Sequence, residues 1–326
     1  MSSQVAWIGI TGATGFVGGA VVRRLLDTTG STLRLAVRDR YEAPSGPVEV
    51  VSVGALTPDT QWDAFANGLD VIIHAAARVH VLDESASDPA FEYQQANVLG
   101  TLRLAEQAAA AGVKRFIFIS SIKVNGEATA PGSAYTADGP AQPQDPYGVS
   151  KLKAEEGLRQ LAVRTGMEVV IIRPVLVYGP GVKANFLNMM RWLEKGVPLP
   201  LGAIENRRSL VALDNLVDLI ATCLTHPAAA NQTFLVSDGR DVSTTQLLKL
   251  MAAALGKPAR LLPVPMWVLN GAAALLGKKN VSQRLCGSLQ VDISKTRALL
   301  GWAPPVSVEE AMEKTARHYL EHKNHA

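Results

Sequence analysis

Short apolar runs rich in β-branched residues alternate with helix-patterned stretches through the first half of the chain, and this alternation constrains the fold more than any other feature. The runs fall at 5–10, 33–37, 48–53, 71–74, 116–120 and 169–172, with helical spacing over 17–27, 97–111 and 147–165. Strands apolar on both faces and separated by helices build a parallel sheet covered on both sides. The expected fold is therefore α/β, with a doubly wound parallel sheet. The alanine-rich stretch 104–111 ends at Gly112, a helix C-cap leading straight into a strand. After Pro174 the rhythm loosens into short helices, recurrent Gly, Pro and Asn, and the pair Arg207–Arg208.

The first run leads into Thr11-Gly12-Ala13-Thr14-Gly15-Phe16-Val17-Gly18 and then a helix. Glycines at this turn let backbone N–H groups approach a pyrophosphate, which rests on the positive end of the helix. This placement makes the sheet Rossmann-type and predicts a dinucleotide-binding unit over 1–174. Residues 175–326 are expected to form a smaller, irregular C-terminal substrate region, partly interleaved with the first. The second run ends Val37-Arg38-Asp39-Arg40. An acid there would bond the ribose hydroxyls of NAD(H), whereas an arginine would pair with the 2′-phosphate of NADP(H). Arg38 takes the first position after the strand, so NADP(H) is favoured, with Asp39 keeping NAD(H) open.

Tyr147 and Lys151 stand four apart at the start of a helix and emerge on one face. An ammonium beside a phenol stabilises the phenolate, lowering its pKa from about 10 toward working pH. Such a tyrosine can exchange a proton with a sugar oxygen. Ser120 and Ser121 lie at the carboxyl end of a strand, 26 residues before Tyr147 for the second, where parallel sheets bind ligands. Lys123 either meets a substrate oxygen or phosphate, or is a solvated loop lysine.

With 326 residues, 48% hydrophobic, the chain can bury a large core. A net charge of +3, with basic and acidic residues interspersed, argues against nucleic acid as a partner. Cys223 and Cys286 lie in no CxxC or Cys/His spacing, so no metal site is expected. His318, His322 and His325 read as a polar tail. No basic segment and signal-length apolar run precedes the first strand, and no stretch approaches the ~20 apolar residues of a membrane span. A cytoplasmic enzyme is expected. The apolar segment 265–277 reads as a buried helix of the smaller unit, a membrane-surface helix being the lesser alternative because it lacks an interleaved basic face.

These motifs resemble, over nearly the whole length, the extended short-chain dehydrogenase/reductase superfamily, in its branch of UDP-sugar 4-epimerases, sugar-nucleotide dehydratases and 4-keto-sugar reductases. TGATGFVG, HAAA at 74–77, YGVSK at 147–151, RPVLVYGPG at 173–181 and LGW at 300–302 carry the resemblance. It implies Ser121, Tyr147 and Lys151 as catalytic residues. A cofactor site would comprise Gly12, Thr14, Gly15, Phe16, Val17, Gly18, Arg38, Ala75, Ala76, Asn97 and Pro174 with that Tyr–Lys pair. Asn97 would support the lysine through a water. Asn185, Arg208 and Arg284 would hold a nucleotide-sugar substrate, UDP-linked by the same resemblance, with Ser121 and Lys123 facing the sugar. The resemblance also implies homodimerisation through the helices beginning near Asn97 and Tyr147, although their apolar residues equally suit packing on the sheet.

The segment SSIKVNGE at 120–127 looks most like bacterial enzymes of surface-polysaccharide synthesis, including reductases that make UDP-N-acetylquinovosamine. Two positions depart from the pattern. The family's Gly-Asp, whose Asp touches adenine, is here Gly54-Ala55. The dehydratases' Asp-Glu pair is here Ile122-Lys123, which cannot supply acid and base for water elimination. The expected reaction is NADP(H)-dependent reduction of the 4-keto group of a UDP-4-keto-6-deoxy sugar. A UDP-sugar 4-epimerase holding NAD is the alternative, and an idle dinucleotide-binding sensor is the alternative of another class.

Overall fold

A computed structural model describes residues 6–28, 30–79, 88–275, 277, 283 and 285–323. Seven strands form one sheet: β1 (Trp7–Thr11), β2 (Thr32–Val37), β3 (Val48–Ser52), β4 (Val71–His74), β5 (Arg115–Ile119), β6 (Glu168–Pro174) and β9 (Thr233–Val236). Their order is β3-β2-β1-β4-β5-β6-β9 and every pairing is parallel. This is the Rossmann-type doubly wound sheet, with strand order reversing between β1 and β4. The loops leaving those two strands run apart there and open a crevice at their carboxyl ends.

Six of the seven strands fall on the apolar runs. The seventh, β9, comes from the irregular half and pairs with β6 from Ile171↔Thr233 to Pro174↔Val236. Its sequence, TFLV, is too short to stand out, yet all four residues are buried. Helices α1 (Phe16–Thr28), α2 (Asp63–Ala66), α3 (Pro89–Tyr93), α4 (Thr101–Ala110) and α5 (Pro146–Thr165) supply the crossovers. A π-helical turn, Gln94–Gly100, joins α3 to α4.

The remaining elements are longer than the sequence suggested. β7 (Leu176–Tyr178), β8 (Arg208–Ala212) and β10 (Asp241–Val242) form a second sheet, ordered β10-β8-β7. α6 (Ala184–Glu194) and α8 (Thr244–Ala254) pack with helix Val308–His322 around a second core of Phe186, Met190, Leu193, Leu248, Met251 and Met312. α7 (Leu213–Thr225) instead lies on the large sheet against α1, its Leu216 and Ile220 joining the main core.

The segment read as a buried helix forms α9 (Met266–Leu275), but it is not buried. Trp267 is 77% exposed and Leu275 is 91% exposed. Among its described residues, Met266 and Leu269 reach the second core. Among the described residues no helix is long and apolar enough to cross a membrane.

Candidate active site

The crevice begins where β1 ends. Gly12 has φ +71°, and a Cβ there would lie 2.7 Å from both Ala75 C and Ala76 N. A Cβ on Gly18 would lie 2.1 Å from the Gly12 carbonyl oxygen. Only glycine lets the loop after β1, the loop after β4 and the first turn of α1 come this close. Beneath them Thr11 Oγ1 meets His74 Nδ1 at 2.6 Å, and His74 Nε2 meets Thr101 Oγ1 at 2.9 Å. Burial, with the charge of Lys151 adding to it, holds His74 down to about 3. A neutral imidazole donates through one nitrogen and accepts through the other, which suits two hydroxyl partners.

The cleft above has a volume of about 830 Å³. Gly12, Thr14, Gly15, Phe16, Val17, Gly18, Arg38, Ala75 and Ala76 all line it, so the structure brings together nine of the expected cofactor residues. Asn97, Tyr147, Lys151 and Pro174 are not among its lining residues. At its far end Arg38, Asp39 and Arg40 stand exposed. Ala55 lines the cleft where an acid was expected, and so does Trp62. The Trp62 indole nitrogen is buried without a hydrogen-bond partner in the protein. A cleft of this volume, with glycines that allow backbone approach to phosphates, fits a dinucleotide.

Next to it lies the chemistry. Asp145 caps α5, its Oδ1 accepting from Gly148 N at 2.7 Å, and Pro146 opens the helix. That cap presents Tyr147 and Lys151 on the face toward β5. Lys151 is 2% exposed, donates to the Ile119 carbonyl at 2.9 Å, and lies 5.9 Å from the centre of the Tyr147 ring. Burial holds Lys151 down to about 7, with the Glu155 carboxylate opposing that fall. Burial pushes the Tyr147 phenol up, and the Asp145 charge and Tyr93 add to the rise. Ser121, at the end of β5, accepts from Lys123 N at 3.2 Å.

Lys123 is ion-paired and not a solvated loop charge. Its ammonium pairs with Asp145 and, at 3.2 Å, with Glu127. It thereby fastens the serine turn to the cap of α5. Asn97 is buried next to α5. Its side chain accepts from Arg78 N at 2.8 Å and donates to Arg78 O and to Ser150 Oγ, and Ser150 neighbours Lys151 in sequence. Pro174 is buried at the end of β6, paired with Val236.

On the lobe side, Arg208 begins β8 and donates to the Gly287 carbonyl at 3.1 Å, its burial lowering its pKa. Asn185 is exposed in the first turn of α6. Arg284 lies outside the described residues. Cys223 and Cys286 are buried, and no group of metal-ligating side chains occurs among the described residues. His318 and His322 stack on each other with 4.2 Å between ring centres.

The sequence reading missed the buried ion pair behind the site. Glu155, 0% exposed on α5, accepts from Ser120 Oγ at 2.6 Å and from Arg173 Nε and Nη2 at 2.9 and 2.6 Å. Arg173 also donates to Asn125 Oδ1 at 3.0 Å. The network ties α5 to the ends of β5 and β6 and to the turn after Ser121. The spacing of Glu155 was its only signal, one helical turn after Lys151 on the same face.

The model of the NAD dependent epimerase/dehydratase family matches residues 8–237, from β1 through β9. The chain belongs to this family. It is 48% identical over 316 residues to a UDP-glucose 4-epimerase of Vibrio cholerae, covering 97% of this chain and 96% of that one. A GDP-6-deoxy-D-mannose reductase of Pseudomonas aeruginosa is more distant, at 25% identity over 93% of each chain. A crystal structure of a short-chain dehydrogenase/reductase superfamily protein from Agrobacterium tumefaciens with bound NAD superposes with a TM-score of 0.76. The two are 25% identical, over 98% of this chain and 99% of that one. The chain is thus an enzyme of this family, and its relatives favour the epimerase alternative over the expected keto-sugar reduction.

Proposed function

We propose that the chain is a UDP-sugar 4-epimerase that keeps a nicotinamide dinucleotide bound through turnover. The near full-length 48% identity to a UDP-glucose 4-epimerase carries the reading. The juxtaposition of Tyr147 with the buried Lys151 at the start of α5 supports it.

A bound nicotinamide supplies a hydride acceptor that returns the hydride to sugar C4. The residues of the chain handle the proton and the sugar's position. Tyr147 takes the proton of the sugar 4-hydroxyl and gives it back, general base and then general acid. Ser121 shares a hydrogen bond with the same oxygen. Lys151, in its ammonium form, favours the phenolate that burial alone would disfavour. Arg208 and Asn185 meet the substrate's nucleoside diphosphate, and Arg284 is assigned to the same group by resemblance alone.

Because an epimerase returns its hydride, it draws on no external electron donor, and NAD(H) becomes the assignment of choice. Arg38 and Arg40 keep NADP(H) as the alternative, since either guanidinium suits a 2′-phosphate. Residues 1–174 together with β9 carry the dinucleotide, while most of 175–326 carries the sugar nucleotide. Exposed Phe91, Leu99 and Val149 support a homodimer through helices at 89–110 and α5. A cytoplasmic setting suits a soluble nucleotide-sugar substrate.

The test is to purify the protein, denature it and identify any released cofactor by chromatography. Near-stoichiometric NAD supports the reading. Empty protein that binds NADPH far more tightly than NADH overturns it in favour of a reductase.

A further inference from the structure

α9 is apolar apart from Asn270 and carries a broad exposed apolar face. Met266 and Leu269, three apart, turn inward onto the second core. Trp267, Val268, Gly271, Ala274 and Leu275 share the opposite face, and all are exposed. No residue of the helix is charged. Helices apolar all round are covered by protein or by lipid, and contiguous exposed apolar surface marks a binding face. The loop that leads to α9 extends this surface. Leu199 N donates to Arg260 O and Leu262 N to Leu199 O, which sets exposed Leu262 beside the stretch holding exposed Val197.

The surrounding charge is one-sided. Between Asp241 and Asp292 the sequence holds six lysines and arginines and neither Asp nor Glu. Lys257 and Arg260, both exposed, precede α9, and Lys278 and Lys279 follow it closely in sequence. The neighbouring loop 195–207 adds Lys195 and Arg207 against one exposed carboxylate, Glu205. A chain with a net charge of only +3 has thus gathered exposed cations on the approach to an exposed apolar helix face, with two further lysines close by in sequence.

We infer that α9 docks this enzyme on an anionic lipid bilayer surface. Trp267 and Leu275 enter the boundary between headgroups and acyl chains, as amphipathic surface helices do. The flanking lysines and arginine meet lipid phosphates. In a free surface helix the basic residues line the polar face. Here the inner face is packed on protein, so the described cations stand on the loops leading to the helix and beside it. A neutral protein partner would have no need of this charge pattern, and a second copy of the chain would bring like charge against like. The inference does not depend on the catalytic reading, because binding is measured without substrate.

The experiment is co-sedimentation of the full chain with phosphatidylcholine vesicles, with and without phosphatidylglycerol, while Trp fluorescence is followed. Binding only to the vesicles containing phosphatidylglycerol, weakened by added salt and accompanied by a blue shift, is expected. The double variant Trp267→Ser, Leu275→Ser loses roughly tenfold or more in affinity, since two large apolar side chains no longer leave water. It should keep its fold and its activity on soluble substrate, as both side chains face solvent. Lys257→Glu with Arg260→Glu weakens binding and flattens its salt dependence. No binding to anionic vesicles, or equal binding by the serine variant, overturns the inference. A concentration-dependent dimer that the serine variant loses, with vesicles ignored, assigns α9 to a second copy and overturns it too.

Discussion

In a Lys151→Met protein a fully buried ammonium gives way to an apolar chain of similar length. Its pKa lies at about 7 inside the fold against 10.5 as the ordinary value, with desolvation as the main cause. The folded state therefore binds fewer protons than the unfolded state between about pH 7 and 10.5. The cost of this lysine is fully present below pH 7 and fades as pH rises through that window. At about 1.4 kcal/mol per pH unit, the cost is on the order of 5 kcal/mol at pH 6 and roughly 2 at pH 9. Losing the hydrogen bond to the Ile119 carbonyl takes back about 1 kcal/mol of what the substitution gains. The variant should thus be more stable than the parent at pH 6, and its advantage should shrink by about 2–3 kcal/mol by pH 9. Urea unfolding followed by Trp fluorescence at the two pH values measures this difference, in which other titrating groups cancel. Turnover should fall by orders of magnitude, so the lysine is held for chemistry against stability. An advantage that does not change with pH would refute the placement of the charge.

Glu155→Gln leaves the buried Arg173 guanidinium without its charge partner and should cost about 3–5 kcal/mol, recovered in part by adding Arg173→Met; chemical denaturation of both proteins checks it. Gly18→Ala sets a methyl against the Gly12 carbonyl oxygen, and cofactor recovered from the purified protein should drop to near zero while far-UV circular dichroism is retained. Tyr147→Phe should lower kcat by about 10²-fold or more with cofactor content unchanged, as steady-state kinetics and chromatography will show.

The first half of the chain was legible because its strands are apolar on both faces and its glycines do one job. Gly12 and Gly18 sit where a Cβ would strike backbone, and that requirement leaves a spacing in the sequence. Tyr147 and Lys151 share a helix, so their geometry follows from the count between them. Contacts that join distant segments left no such mark. Glu155 and Arg173 meet only because α5 lies over β6. Lys123 finds Asp145, 22 residues on, through the turn after Ser121. β9 is four residues long and identified as a strand by its pairing with β6, not by its composition. The reading of 265–277 failed for a related reason. A short apolar run says that water is unfavourable, and not whether protein or another phase replaces it. The choice of reductase leaned chiefly on Arg38, an exposed residue at the far end of the cleft. Full-length likeness to an epimerase outweighs it.

The central claim is that the sugar loses and regains the same hydrogen at C4. The most direct measurement supplies UDP-glucose carrying deuterium at C4 to the purified enzyme, with no added cofactor, and follows it by NMR. The account predicts UDP-galactose with the deuterium still at C4 and solvent hydrogen absent from that carbon. Unchanged UDP-glucose, together with NADPH consumption when a 4-keto sugar nucleotide is offered, would contradict it.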